Sequence, residues 1–546
     1  MGKDKEFNLL DEAWIRVICS DCREKEVSLL DLFRNAHEYD GLSGETPAQN
    51  TAVLRLLLAI LHAVFERVDV EGHESPIESE EEAYSRWKEL WDRKSFPEKP
   101  IQDYLERWRD RFWLFHPEYP FFQFSEAVSV SDYSAEKLNG EISESGNKTR
   151  LFSPRNKAGK RSLSIPEAAR WLLYMNGFDD GAVKPSKQDK ALGDARVKME
   201  TAWLGELGLI ESIGNNLFET LMMNFVLLDN EGEPWESAEP IWEKEPFTAM
   251  ICRTITPKSD QAELLTVQSR RILLIKDGNK VTDYHIAKGD CFNKQNFFLE
   301  QMTLWMKLKD GQTEFFIPKQ HYRERRLWQE FSSIAANGEG EQSAGVVRWV
   351  NRLVTRKLLE RPLVRYRIVG VRYDSTQKSS VTDTFEDNLS FHSEILLSSG
   401  KEWIEMIESE VKKCDSLARI VIQLAVNILF AGGYKETKKD GIQEKINKTR
   451  EQFYYRVNEP FREWLLKLDP NQGDTRRIEL QEEWRTSAFK VADDYGKELV
   501  RGAGPTAFRG RMVKRNDKDP GYYYAAPKAY GWFKYQIGMW RKGEHT

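Results

Sequence analysis

The sequence predicts an α+β fold, with a mixed N-terminal domain over residues 1–384 and a C-terminal antiparallel four-helix bundle over residues 385–546. Two observations predict it. Before residue 385, strand-like alternation and tight-turn residues are interleaved with helical periodicity. After it, apolar residues recur at helical spacing near 390–413, 415–431, 441–468 and 477–500, with short connections that favour antiparallel neighbours.

Taken in order, residues 7–33 alternate as two short strands. Between them lies Cys19-Ser-Asp-Cys22, which reads as a hairpin turn or as half a zinc site completed by Cys252 and Cys291; the lack of a second C-x-x-C favours the turn. Thr46-Pro47 opens a helix, a capping residue followed by proline at the first helical position. Val53, Leu56, Leu57, Ile60, Leu61 and Val64 give that helix one buried face. The acidic run Glu78 to Glu82 reads as a solvated helix start. Trp108, Phe112, Trp113 and Phe115 fall on a further helix, where core packing suits the aromatic stripe better than base stacking does. Residues 139–163 form a polar loop, and Ser164-Ile-Pro-Glu167 is a capping box for a helix over 168–175 that Gly177 ends. A second irregular stretch then runs to about residue 202; loops this long within a domain are usually functional. Residues 251–317 are β-rich, with Lys276-Asp-Gly-Asn and Lys309-Asp-Gly-Gln as hairpin turns. Helices near 321–335 and 342–360 lead to a strand from Leu363 to Tyr373, and an aromatic tail, Tyr522 to Trp540, closes the chain.

Composition narrows the function. Of 546 residues 40% are hydrophobic and 31% charged, which excludes wholesale disorder, a collagen-like chain and a membrane channel. With 81 basic and 87 acidic residues the net charge is −6, so any nucleic-acid binding must use local patches. The polar start carries no apolar segment of a signal peptide, the apolar run from Ile420 to Gly433 is too short for a bilayer, and five cysteines make no disulfide scaffold; the expected location is the cytoplasm. G-x-x-x-x-G-K-[ST], H-E-x-x-H and G-x-S-x-G are all missing, and the eight histidines are scattered singly. No catalytic residue, metal or cofactor is therefore expected, although the abundant carboxylates keep a magnesium-dependent nuclease open as an alternative.

Basic charge is segregated. Ser145 to Arg161 holds Lys148, Arg150, Arg155, Lys157, Lys160 and Arg161 with no acidic residue, and Phe152 stands among them to stack. Arg348, Arg352 and Arg356 repeat every four residues and predict one basic helix face. A third group, Arg501, Arg509, Arg511, Lys514 and Arg515, surrounds Gly502-Ala-Gly504-Pro. Charge alone indicates an anionic polymer.

The stretch Phe7-Asn-Leu-Leu-Asp-Glu-Ala-Trp14-Ile-Arg-Val17 followed by Glu26-Val-Ser-Leu-Leu-Asp-Leu32 resembles the opening of the CasA family, the large subunit of the type I-E CRISPR Cascade surveillance complex. The likeness continues in order through Leu163 to Leu173, Asn216 to Asn224, Pro234-Trp-Glu236 and Gln268-Ser-Arg-Arg271. It implies a non-enzymatic subunit that reads a protospacer-adjacent motif (PAM) on double-stranded DNA, helps to open the duplex for R-loop formation and supports recruitment of a helicase–nuclease. The implied partners are the other Cascade subunits, CRISPR RNA and target DNA; a scaffold binding only guide RNA and neighbouring subunits is the further alternative. The resemblance also implies roles. Asn147, Lys148, Arg150, Phe152, Arg155 and Lys157 match a loop that holds the RNA handle, with Phe152 as its aromatic contact. Gly177-Phe-Asp-Asp-Gly181 matches a glycine loop at the minor groove, with Gly181 the contact; Asp179 and Asp180 depart from that pattern and would repel phosphate. Gln377 matches a wedge with Lys378 on the neighbouring phosphate, and Lys288 and Lys294 both stand as the minor-groove lysine.

Overall fold

The computed structural model describes residues 5–127, 133–140, 155, 157–182, 184, 200–236, 238–245, 254–255, 259–335, 342–374, 378, 380–434, 439–514 and 521–543. It divides into two compact units: Met1–Arg323, Ala336–Glu360 and Arg365–Asn388 make unit 1, and Glu324–Ala335, Arg361–Val364 and Leu389–Thr546 make unit 2.

Unit 1 begins with strands β1 (Ile15–Cys19), β2 (Glu24–Val27) and β3 (Tyr39–Leu42) in the order β2-β1-β3. Cys19 to Cys22 is the hairpin turn: the Cys22 amide donates to the Cys19 carbonyl at 2.8 Å, and Cys22 takes φ 62°. Helix α1 (Pro47–Phe65) starts on Thr46, whose hydroxyl accepts from the Gln49 amide, with proline in the first turn. The expected single buried face is too narrow, because every residue from Thr51 to Phe65 is buried. Burying a leucine fully is worth about 1.5–3 kcal/mol, so this helix is the main prop of the unit. Among the described residues it is also one of two segments, with Ser398–Ala431, long and apolar enough to cross a membrane; 94% of its apolar stretch is buried within the protein.

Helices α2 (Glu80–Arg93) and α3 (Glu98–Arg107) follow. The aromatic run after them is not helical. A 3-10 turn covers Arg109–Phe112 and a short strand covers Trp113–Phe115, so the four rings do not form a helical stripe; Phe112 turns inward onto Phe121 at 5.2 Å. Helix α4 (Ile165–Phe178) has the expected capping box between Ser164 and Glu167. It runs on through Gly177, where a Cβ would lie 2.6 Å from the Leu204 Cδ1, so this glycine permits close packing and does not end the helix.

Strand β4 (Leu209–Ser212) is followed by α5 (Leu217–Asn224). The β-rich section forms two antiparallel hairpins. One pairs β5 (Arg270–Asp277) with β6 (Lys280–Lys288), and the other pairs β7 (Trp305–Asp310) with β8 (Thr313–Pro318). Gly278 at φ 57° and Gly311 at φ 59° supply the left-handed turn positions. Helix α6 covers only Gly345–Thr355, and the stretch expected to be helical from 321 is reduced to short turns at Leu327–Glu330 and Phe331–Ile334. Strands β9 (Leu363–Tyr373) and β10 (Val381–His392) then form the sheet β10-β9-β4. The chain therefore does not turn helical at residue 385; β10 carries strand structure to His392.

Unit 2 is built on α7 (Lys401–Ala431), α8 (Lys439–Leu465) and α9 (Gly473–Arg501), then a hairpin of β11 (Arg511–Val513) and β12 (Tyr522–Tyr524), then α10 (Ala526–Lys542). The patterns at 390–413 and 415–431 belong largely to one 31-residue helix, α7, and the fourth long helix is the aromatic tail. Side-chain pairings fix the directions. Trp464 donates to the Leu480 carbonyl while Arg456 pairs with Glu498, so α8 and α9 are antiparallel. Trp540 donates to the Lys413 carbonyl while Tyr524 meets Phe430, so α10 runs against α7. Trp328 stacks on Phe461 at 4.2 Å, which explains why residues 324–335 belong to this unit.

Candidate functional site

Gly181, Lys294 and Lys378, three of the residues singled out by sequence, meet in unit 1. Lys378 sits between β9 and β10 with φ 53°. Its amide donates to the Asp374 carbonyl at 3.3 Å, and its own carbonyl accepts from the Gly181 amide at 2.7 Å. Backbone thus binds the turn after α4 to the end of β9. Beneath them lies Glu206, on the 3-10 turn Trp203–Glu206. The Glu206 Oε2 is 3.0 Å from the Lys294 Nζ and its Oε1 is 3.5 Å from the Lys378 Nζ. Burial alone would raise the Glu206 carboxyl; Lys294, Thr201 and Lys378 outweigh it and hold the group below the ordinary carboxylate range. The exposed Glu200 also faces Lys294, at 3.5 Å.

The turn under the lysines is anchored from far away in sequence. Trp203 donates through Nε1 to the Glu300 Oε2 at 3.1 Å, and Glu300 forms a buried two-bond pair with Arg55 of α1, both at 2.9 Å. The Trp203 amide donates to the Ser269 hydroxyl at 3.2 Å. Arg270 reaches the other side. Its Nε is 2.5 Å from the Asp179 Oδ2, and its Nη2 donates to the carbonyls of Asp180 and Glu200 at 3.0 and 2.7 Å.

The expectation that Asp179 and Asp180 repel phosphate is overturned. Both are buried, at 2% and 3% exposure, and turned inward. Lys184 lies 2.8 Å from Asp179, and Lys137 lies 2.7 Å from Asp180. Burial would raise the Asp179 carboxyl, but Lys184, Arg270 and Lys137 together hold it low. A closed ionic cluster therefore shapes the 179–181 turn and leaves Gly181 beside Lys378. Sequence reasoning read the acid pair with the wrong sign and missed Glu206, Lys184 and Trp203; Arg270 was visible only as part of Gln268-Ser-Arg-Arg271.

Of the two candidate lysines, Lys294 joins this site, whereas Lys288 ends β6 opposite Arg270. Asn147, Lys148, Arg150, Phe152 and Gln377 lie outside the described residues, and Lys157 opens a short helix, Lys157–Lys160. Arg155 is paired, its Nη1 3.0 Å from the capping Glu167.

The basic face of α6 is not a free cationic face. Arg352 donates to the carbonyls of Asp229 and Asn230, each at 2.9 Å, and Arg348 donates to the Asn230 side chain. Burial, with Arg352 adding to it, lowers the Arg348 guanidinium to about 10, still charged at neutral pH. Arg356 stacks on Tyr84 at 4.1 Å and pairs with Glu80 at 2.8 Å. The spacing was read correctly, but the face docks on the 229–230 turn and the start of α2. Among the described residues, no group of three or more His, Cys, Asp or Glu converges as a metal site.

Residues 8–495 match the family model of CRISPR-associated protein Cse1. The chain belongs to the Cse1 family. The CasA/Cse1 protein of Thermus thermophilus is 32% identical over 356 residues, and that match spans 63% of each chain, so less than two thirds of this relative's length is matched. The crystal structure of Thermobifida fusca Cse1 superposes on this Cse1 chain with a TM-score of 0.80 at 26% identity, covering 99% of both. A chain from a CRISPR RNA-guided surveillance complex shares the fold, with a TM-score of 0.67 at 15% identity over 98% of this chain and all of that one (100%).

Proposed function

We propose that this Cse1 chain is the non-catalytic large subunit of an RNA-guided CRISPR surveillance complex. It reads the PAM on double-stranded DNA, opens the duplex beside it for R-loop formation, and supports recruitment of a helicase–nuclease. On this reading its partners are the other Cascade subunits, the CRISPR RNA and the target duplex, and it acts in the cytoplasm. The convergence of Gly181, Lys294 and Lys378 over Glu206 carries the proposal. A minor groove offers a degenerate hydrogen-bond pattern, so it is suited to a close backbone approach flanked by cations. The glycine supplies the approach and the two lysines supply the cations. Gln377, next to Lys378, is the wedge: a long uncharged amide that fills the gap left by a separated base pair.

The test compares assembled complexes bound to duplex and to single-stranded targets. Stacking is worth about 1.4 kcal/mol per base-pair step, so Gln377→Ala is expected to weaken duplex binding about tenfold and leave single-strand binding unchanged. Equal weakening on both targets removes the wedge. Magnesium-dependent cleavage by the purified chain alone would overturn the non-catalytic assignment.

A further inference from the structure

Unit 2 carries a surface that the PAM reading does not use. On the short helix Pro505–Arg509 and the β11–β12 hairpin, large side chains point into solvent: Phe508 is 46% exposed, Met512 55%, Tyr522 54% and Tyr523 42%. Cations are interleaved with them. Arg501, Arg509, Arg511 and Lys514 are all exposed, and among the described residues none of them pairs with a carboxylate. That contrasts with Arg348, Arg352 and Arg356, each of which is bonded within unit 1.

The hairpin holds its rings in place. Tyr523 donates through its hydroxyl to the Arg509 carbonyl at 2.5 Å, which ties β12 to the helix before β11. Lys528 lies over the Tyr522 ring at 4.1 Å, and Tyr522 meets Tyr524 edge to face at 4.8 Å. Tyr524 in turn packs on Phe430 at 5.3 Å, so the platform is fixed to α7. The outcome is planar rings, immobilised at one edge, set among cations that have no protein counter-ion among the described residues.

We infer that this surface is a second nucleic-acid site, which takes an unpaired single strand by stacking its bases on Phe508 and on Tyr523, the ring that β12 turns to the opposite face from Tyr522 and Tyr524, while Arg509, Arg511 and Lys514 grip its phosphates. Three features favour that ligand. Every base has a π-face, and phosphates repeat at short intervals along a strand, so the alternation of ring and cation matches it. A duplex hides its π-faces. A membrane surface would call for a continuous apolar face, whereas here the rings carry hydroxyls and are separated by arginines.

The test uses the full chain and a fluorescent oligothymidylate, followed by anisotropy over a range of salt. Base–aromatic stacking predicts about tenfold weaker binding for each ring removed, so Phe508→Ala/Tyr523→Ala is expected to weaken binding roughly a hundredfold. Tyr523→Phe keeps the ring and removes its hydrogen bond to the Arg509 carbonyl; binding retained there separates stacking from a structural role. Arg509→Gln/Arg511→Gln is expected to flatten the salt dependence by about 0.7 for each phosphate no longer neutralised. A photoreactive thymidine analogue is expected to crosslink at Phe508 or Tyr523. Unchanged affinity and slope in the alanine and glutamine variants overturn the proposal, as does binding to phosphatidylserine vesicles with none to the oligonucleotide.

Discussion

His62, in the last turn of α1, and Glu66, the residue that caps it, lie one turn apart, with the imidazole Nδ1 hydrogen-bonded to the carboxyl, and both are buried. Burial lowers the His62 imidazole to about 3 and raises Glu66 well above its usual range. The folded pair therefore holds one proton across the neutral range. The unfolded chain holds one only between about pH 4.5 and 6.5, where its histidine is protonated and its glutamate is not. Below that window the unfolded state binds a second proton, so stability falls as pH drops; above it the unfolded state binds none, so stability falls as pH rises, by about 1.4 kcal/mol per unit. Urea midpoints of the wild type minus those of His62→Asn/Glu66→Gln are expected to be flat from about pH 4.5 to 6.5 and to decline on both sides. A difference that climbs steadily through the window would show that the pair is not a one-proton unit. The same burial acts differently on Asp179, because Lys184 and Arg270 contact it and keep it ionised.

At the scale of elements, the glycines mark where the site is assembled. A Cβ on Gly205, in the turn that carries Glu206, would lie 2.1 Å from the Tyr373 hydroxyl and 2.9 Å from its Cζ. That hydroxyl donates to the Phe178 carbonyl at 2.8 Å, so it joins the end of β9 to the end of α4. Gly205→Ala must displace one or the other, and overpacking of this kind costs about 1–3 kcal/mol. We expect a lower melting temperature and weaker duplex binding, with part of the stability restored in Gly205→Ala/Tyr373→Phe, where the clashing oxygen is gone. A double variant no more stable than the single one would place the strain elsewhere. This junction was not legible in the sequence, although much around it was. Caps at Thr46 and Ser164 and the turns at Gly278 and Gly311 are local, written within four residues, and the structure has them. The errors fall where distant residues decide: Trp113–Phe115 became a strand that pairs with Glu6–Asn8, and the acid pair Asp179 and Asp180 is neutralised by Lys137 and Arg270, which lie far from it along the chain on either side. A periodicity reading has no access to such partners.

For the whole molecule, net charge −6 means that the summed field repels a polyanion, so attraction must come from local groups of cations. The structure assigns three of these cations to the fold. Arg348 and Arg352 hold the Asp229–Asn230 turn, and Arg155 holds the cap of α4, so these charges serve the fold. Lys148 and Arg150 stand in the acid-free stretch of the sequence, where no carboxylate adjacent in the chain competes for them. The two groups predict opposite phenotypes in one experiment, the affinity of the assembled complex for duplex target measured against salt. Lys148→Ala/Arg150→Ala is expected to flatten the slope of log affinity on log salt by about 0.9 for each phosphate no longer neutralised, with the melting temperature unchanged. Arg348→Gln/Arg352→Gln is expected to keep the slope and to reduce stability by about 1 kcal/mol, because it leaves the half-buried oxygens of Asp229 and Asn230 without their donors. A flattened slope in the second variant, or an unaltered one in the first, would show that charge in this protein is divided between folding and binding along other lines.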